Sequence, residues 1–152
     1  MKTDTRLSSM LHLLLHMAEA GEAITSEGLA GYLGTNPVVV RRTLAGLRQS
    51  GIVRSEKGRG GGWRLARPLA EITLADVHGA LGSPALLAFG NRNENPQCVV
   101  EQAVNERLSD TMDEVQAMVM SRLAAVTLAD VDADFRRRLA ASPHHSKGHH
   151  HA

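Results

Sequence analysis

The sequence predicts a mainly α-helical protein with one small β-hairpin, a winged helix-turn-helix domain followed by a long C-terminal dimerisation helix. Three observations support this fold class. Two short helical patterns meet at a turn that contains Gly34, and a glycine-rich segment follows at residues 57–62. Residues 97–125 contain neither proline nor glycine. A short turn with glycine between two helices is the helix-turn-helix pattern, and a hairpin behind it forms the wing.

Composition limits the class of protein. Hydrophobic residues make up 43% and charged residues 22% of the 152 residues, as in globular domains. No apolar run approaches the ~20 residues that cross a bilayer. The single cysteine excludes an intramolecular disulfide framework and fits a reducing compartment. We therefore expect a cytoplasmic protein with no membrane partner.

The first helix is expected over residues 5–20. Its predicted apolar stripe consists of Leu7, Met10, Leu11, Leu14, Leu15 and Ala18. His12 and His16 stand four positions apart on it, a spacing that can hold a metal ion. No carboxylate lies between them and no third ligand is evident nearby. We interpret them as surface or interface histidines and predict no metal site.

Helix-start and helix-stop signals define the helix-turn-helix. Thr25 caps a helix that runs to Leu33, and Asn36-Pro37 gives the next helix an N-cap and a proline at its first position. Val40, Leu44 and Leu47 form the apolar face of this second helix. Gly51 ends it, because glycine readily adopts the left-handed conformation there.

The wing is predicted as strands at 52–55 and 63–66, joined by residues 57–62. A phosphate-cradling loop would instead open a helix, with Lys-Ser/Thr close behind the glycines. Here the glycines lead into the strand pattern Trp63-Arg64-Leu65. We therefore interpret them as a hairpin tip, from which Lys57 and Arg59 reach a DNA groove or its phosphates.

Charge is divided unevenly along the chain. Residues 41–67 contain eight Lys/Arg and one acid, giving +7, whereas the remainder contains nine Lys/Arg and fifteen acids, giving −6. Such a basic segment predicts a polyanionic partner, here double-stranded DNA. Arg48, Arg54 and Arg64 are expected to hold phosphates. Arg41 and Arg42 suit guanine edges.

The second half of the chain is predicted as a loop and two helices. Thr-Leu-Ala-Asp-Val occurs at 73–77 and again at 127–131, and both copies are interpreted as capped helix starts. The long helix would extend roughly 40 Å at 1.5 Å per residue. Its apolar stripe is larger than a small domain can cover, which predicts a homodimer. The expected dimer interface is Val100, Val104, Leu108, Met112, Val115, Val119 and Leu123.

The predicted organisation has four parts. Residues 1–81 form the winged helix-turn-helix domain, 82–96 a loop, and 97–140 the dimerisation helix with a last short helix. Residues 141–152 form a His-rich tail that is expected to be disordered and without function.

The wing motif carries a family resemblance. The run Leu47-Arg48-Gln49-Ser50-Gly51-Ile52-Val53-Arg54-Ser55, followed by Gly58-Arg59-Gly60-Gly61-Gly62-Trp63-Arg64-Leu65, resembles the IscR/NsrR/CymR (Rrf-two) family of bacterial winged-helix regulators. The resemblance is greatest to its cluster-less, YwnA-like branch. It implies a homodimer with two recognition helices in successive major grooves and the wings at the minor groove. The matching DNA-facing positions are Asn36, Val38, Val39, Arg41, Arg42, Lys57 and Arg59.

Cysteine content departs from the cluster-binding members of that family, which carry three cysteines around the start of the long helix. This chain has only Cys98 there, so an Fe–S cluster held in that manner is not expected and no cofactor is predicted. Cys98 is a candidate redox sensor, because a helix N-terminus favours a thiolate. The alternative is a small structural residue.

These observations predict a homodimeric, sequence-specific DNA-binding transcriptional regulator. We expect a repressor that responds to redox state or to a small metabolite. The alternative is a winged-helix interaction module that binds an acidic protein without reading bases. An enzyme is not expected, because no nucleophile–base–acid set appears.

Overall fold

The computed structural model describes residues 3–87 and 89–142. It contains six α-helices, one short 3-10 helix and one hairpin within those ranges. The helices are α1 (Arg6–Ala20), α2 (Ser26–Leu33), α3 (Pro37–Gln49), α4 (Leu74–Ala80), α5 (Val99–Ala125) and α6 (Leu128–Ala141). The strands β1 (Val53–Glu56) and β2 (Gly62–Leu65) are antiparallel, and the 3-10 turn is Leu69–Glu71. The predicted fold class is confirmed.

Local capping accounts for the helix-turn-helix. The Thr25 hydroxyl accepts a hydrogen bond from the Gly28 amide at 3.1 Å. The Asn36 Oδ1 accepts from the amides of Val38 and Val39 at 3.0 and 3.1 Å, so the first turn of α3 has its free donors satisfied. Ser50 caps the other end, and Gly51 follows it at φ +72°. The predicted starts of α2 and α3 and the stop at Gly51 are confirmed.

The core is formed by one face of each helix in the N-terminal domain. α3 buries Val40, Leu44 and Leu47, as predicted. α1 buries Met10, Leu13, Leu14 and Met17, so the predicted stripe was wrong in leaving out Leu13 and Met17. The helix is apolar almost all round between residues 10 and 17, and periodicity alone cannot choose the face that packs inward.

The two Thr-Leu-Ala-Asp-Val copies face each other. Thr73 and Thr127 each complete a capping box, with Asp76 and Asp130 as reciprocal partners. The Leu74 amide donates to the Val126 carbonyl at 3.0 Å and the Leu128 amide donates to the Ile72 carbonyl at 2.8 Å. Both copies are helix starts, as predicted, and they are also bridged to one another. This bridge brings Leu128 of α6 into the core of the N-terminal domain.

The long helix α5 has 27 residues, and none of them is buried. It packs against α4, where Gln116 and Met120 line a cavity with His78. The 82–96 segment before it contains no helix or strand among its described residues. The His-rich tail predicted at 141–152 lies outside the described residues from position 143 onward.

Candidate nucleic-acid interface

The exposed side of α3 lies opposite its buried face. Val38 and Val39 are 55% and 42% exposed, although valine is usually buried. Arg42, one turn beyond Val38, is also exposed. Two branched apolar side chains and a guanidinium on one solvent face have the chemistry that contacts thymine methyl groups and guanine edges.

Asn36 and Arg41 already have protein partners. The Asn36 side-chain oxygen accepts the two capping hydrogen bonds, which leaves the side-chain NH2 group as the donor for another partner. Arg41 Nη1 lies 3.7 Å from Glu27 Oε1 on α2, and both side chains are more than half exposed. An exposed ion pair of this kind is weak, so Arg41 can exchange it for a stronger anion. Arg48 is exposed in the last turn of α3.

The wing tip is held in shape by tightly packed glycines. The Gly61 amide donates to the Gly58 carbonyl at 2.9 Å, and a Cβ on Gly61 would lie 2.5 Å from the Glu56 carbonyl oxygen. The turn therefore cannot accept a larger residue at that position without moving. It leaves Lys57 and Arg59 exposed at the tip.

Arg54 and Arg64 stand opposite each other on the hairpin and share one acid. Glu56 Oε1 lies 3.5 Å from Arg54 Nη2 and 3.1 Å from Arg64 Nε. Arg64 also donates from Nη1 to the Gly21 carbonyl at 3.3 Å and is only partly exposed. Arg54 is therefore available to a phosphate, whereas Arg64 would first have to leave contacts that brace the wing against the end of α1.

Sequence reasoning missed the anchor of the wing. Ile24 and Trp63 form an antiparallel bridge, with the Trp63 amide donating to the Ile24 carbonyl at 2.8 Å and the Ile24 amide donating back at 3.0 Å. The indole Nε1 donates to the buried Ser26 hydroxyl at 3.0 Å. These contacts join the wing to the start of α2, so the hairpin and the helix-turn-helix form one unit. A tryptophan next to the glycine run was the available signal, because a buried indole N–H needs an acceptor.

The sequence of this chain matches a known family of transcriptional regulators. A family model described as Rrf2, iron-dependent transcriptional regulators, matches residues 3–134. The chain belongs to the Rrf2 family. YwnA of Bacillus subtilis, which is named as an HTH-type transcriptional regulator, is 33% identical over 128 residues, which cover 84% of this chain and 95% of YwnA. The Mycobacterium tuberculosis regulator Rv1287, named in the same way, is 33% identical over 134 residues, or 86% of this chain and 78% of that protein.

Solved structures agree with the family. A crystal structure described as a DNA-binding protein superposes with a TM-score of 0.67 at 31% identity, covering 83% of this chain and 97% of the other. A transcriptional regulator from Lactobacillus plantarum gives a TM-score of 0.71, with 91% of this chain and 99% of the other covered; its 22% identity supports the fold alone. This Rrf2 protein is a DNA-binding transcriptional regulator and not an enzyme.

No helix in the described ranges is both long and apolar enough to cross a membrane.

The family description includes iron, and the single cysteine of this chain does not fit an iron–sulfur cluster held by three thiolates. Cys98 is the only cysteine, and it is exposed at the N-cap of α5. Iron–sulfur clusters are held chiefly by several cysteine thiolates, and this chain has one cysteine. Among the described residues no three His, Cys, Asp or Glu side chains form a group suited to a metal ion. The residues present therefore do not fit a cluster ligated by three cysteines.

Proposed function

We propose that this Rrf2 protein binds DNA as a homodimer, with α3 in the major groove and the wing tip against the neighbouring backbone. The observation that carries the proposal is the exposed face of α3. Val38, Val39 and Arg42 are turned to solvent while Val40, Leu44 and Leu47 hold the opposite face in the core. The net charge of +7 over residues 41–67 supports the same surface. We propose the cytoplasm as its location, since its named relatives are bacterial regulators.

Base reading and phosphate binding can be separated by two substitutions. Arg42→Ala should lose about 1–3 kcal/mol on the operator and little on random duplex, because a bidentate guanine contact is specific to one base pair. Arg54→Ala should weaken both duplexes alike and lower the salt slope by about one. Fluorescence anisotropy over a salt series, on a duplex from the protein's own upstream region, measures both effects.

Arg122→Ala is the matched control, since it removes one exposed positive charge on α5, away from the basic segment. Equal losses on specific and random DNA for Arg42→Ala would refute its assignment to a base. Duplex affinity that stays weak even at low salt would refute the DNA proposal and favour an acidic protein partner.

Dimerisation is proposed through α5. Val100, Val104, Leu108 and Val115 are 72%, 50%, 47% and 38% exposed along one side of the helix. The other predicted interface residues, Met112, Val119 and Leu123, are half-buried. An exposed apolar row of this length is the kind of surface that a second copy covers. In a dimer the two α3 helices can reach successive grooves, and a dimer seated on a promoter would repress transcription.

The oligomeric state tests this part directly. Multi-angle light scattering should give twice the 16.3 kDa of one chain, and Leu108→Glu should give the monomer. Ala117→Glu is the matched control, because nine positions at 100° each place it on the opposite side of the helix. A monomeric parent, or a Leu108→Glu variant that remains dimeric, would contradict the assigned interface.

Regulation is proposed to act at the start of α5. The Cys98 thiol is exposed at the N-cap of α5, where a dissolved oxidant can reach it. A small metabolite is the other candidate, and a cavity of about 420 Å³ between the loop and the middle of α5 is lined by Phe89, Leu108 and Met112.

Operator affinity can be compared for reduced protein, peroxide-treated protein and Cys98→Ser. A tenfold shift on oxidation, about 1.4 kcal/mol, that is absent in the serine variant identifies the thiol as the switch. Equal affinities would make Cys98 structural and favour the metabolite cavity.

A further inference from the structure

The surface of α1 carries a pair of histidines in direct contact. His12 Nε2 and His16 Nε2 lie 2.8 Å apart, and the ring centroids are 4.5 Å apart with an interplanar angle of 69°. The i, i+4 spacing brings both rings to the same side of the helix. Two imidazole nitrogens therefore meet at one point near the protein surface.

That separation matches two neighbouring ligands of one metal ion. Nitrogens bound at about 2.0 Å and at right angles to each other are about 2.8 Å apart, whereas tetrahedral angles would need about 3.3 Å. Right angles between nitrogen ligands are typical of tetragonal Cu²⁺ and Ni²⁺ sites. An N–H···N hydrogen bond between the rings would give a similar distance.

A neighbouring aromatic ring restricts the orientation of His16. Its ring stacks on the Tyr32 ring of α2, with centroids 4.3 Å apart and planes 21° from parallel.

There is also room for further ligands. A cavity of about 200 Å³ adjoins the pair and is lined by Leu15, Glu19 and Phe135 as well as the two histidines. Arg136 of α6 holds Glu19, with its Nη2 2.7 Å from the Glu19 Oε1, and this contact does not direct the carboxylate toward the histidines. The carboxylate still adds negative charge beside the pair. Water molecules would fill the remaining positions around an ion.

We propose that His12 and His16 form a two-histidine site for a late first-row divalent cation, Cu²⁺ or Ni²⁺, on α1. The site is independent of the DNA-binding surface and of any thiolate-bound iron. It uses two protein ligands, which agrees with the lack of any three-residue metal-binding group among the described residues. The affinity should follow the order Cu²⁺, Ni²⁺, Zn²⁺, with Cu²⁺ the tightest.

The test must first remove the histidines of the tail. His144, His145, His149, His150 and His151 are replaced by serine in the full chain. Calorimetric titration of this chain with Cu²⁺ should give one ion per chain, and electron paramagnetic resonance should show two nitrogen ligands. His12→Gln and His16→Gln should each lower the affinity by about tenfold or more, since either leaves one ligand. Tyr32→Phe keeps the ring and removes the phenol oxygen, so its affinity should remain that of the parent.

Three results would overturn the proposal. The first is no Cu²⁺ binding by the serine-tailed parent, including the case in which only the chain with its native tail binds. The second is an unchanged affinity in either glutamine variant that retains the helical circular dichroism of the parent. The third is a spectrum with one nitrogen ligand. Each would leave the 2.8 Å contact as a hydrogen bond between the two rings.

Discussion

Gly62→Ala tests whether the wing is held by the close approach of β2 to Ile24. A Cβ at position 62 would lie 2.4 Å from the Ile24 carbonyl oxygen, 2.6 Å from its carbon and 2.9 Å from the Thr25 nitrogen. All three are backbone atoms, so no side-chain rotation relieves the overlap. Gly62 also has φ +145°, which is almost confined to glycine.

The expected loss can be worked from these contacts. Holding alanine at that φ costs about 1–3 kcal/mol. Separating β2 from Ile24 also breaks the two backbone hydrogen bonds of 2.8 and 3.0 Å, at about 1 kcal/mol each. The sum is about 3–5 kcal/mol, a large share of the ~5–15 kcal/mol that stabilises a typical domain. The Trp63 to Ser26 hydrogen bond would be lost with the bridge.

Urea unfolding at fixed protein concentration measures the effect, with the single tryptophan, Trp63, as the fluorescent probe. Gly79→Ala is the control, because a Cβ added there would meet no atom within 4 Å apart from its chain neighbours and the backbone of its own helix. Alanine in a helix should be neutral or stabilising by up to about 1 kcal/mol. If Gly62→Ala unfolds at the same midpoint as the parent, the wing is not anchored by this contact, and the account of Ile24 and Trp63 fails.

Two further predictions concern the helix ends. Thr127→Ala should destabilise the protein by about 1 kcal/mol, because the Asp130 amide loses the Thr127 hydroxyl that accepts its hydrogen bond at 3.2 Å. Urea unfolding measures this loss of stability. Thr127→Ser keeps a hydroxyl and should retain most of the stability of the parent. The Arg6 guanidinium, which donates to both oxygens of Asp4 at 3.1 and 2.6 Å, lowers the pKa of that carboxyl from 3.8 to about 2. The stability from this exposed pair is present above pH 4 and is lost as the pH falls toward 2. Carbon-13 NMR titration should show Asp4 returning toward its ordinary pKa in Arg6→Ala, and an unchanged titration would mean that the pair does not persist in solution.

The helix starts were predictable because their signals are local. Thr25, Asn36-Pro37, Thr73 and Thr127 each carry a cap within three residues, and the structure has a helix at every one. The strands were predicted one residue too early in β1 and one too late in β2. Gly62 enters the ladder opposite Glu56, although glycine reads as part of the turn.

Long-range pairs could not be predicted in the same way. Ser26 with Trp63, Glu19 with Arg136 and the Thr73–Thr127 bridge join residues at least 37 positions apart, and no periodicity records such pairs. At the candidate interface the sequence identified which residues are basic. Only the structure distinguishes Arg54, which forms an exposed ion pair with Glu56, from Arg64, which also holds the wing against the end of α1.

The bridge between the two Thr-Leu-Ala-Asp-Val copies fixes the C-terminal end of α5 and so sets the pivot for any tilt of that helix. The bridge holds the chain immediately after Ala125, at the C-terminal end of a 27-residue helix. At 1.5 Å per residue the other end is about 40 Å away, so a tilt of about 10° at the pivot carries it through about 7 Å. In a dimer joined along α5, the distance between the two recognition helices would follow that angle. In the proposed dimer, a change in side-chain packing at the pivot would alter that distance and move the protein in or out of register with two successive grooves, far from any residue assigned to DNA.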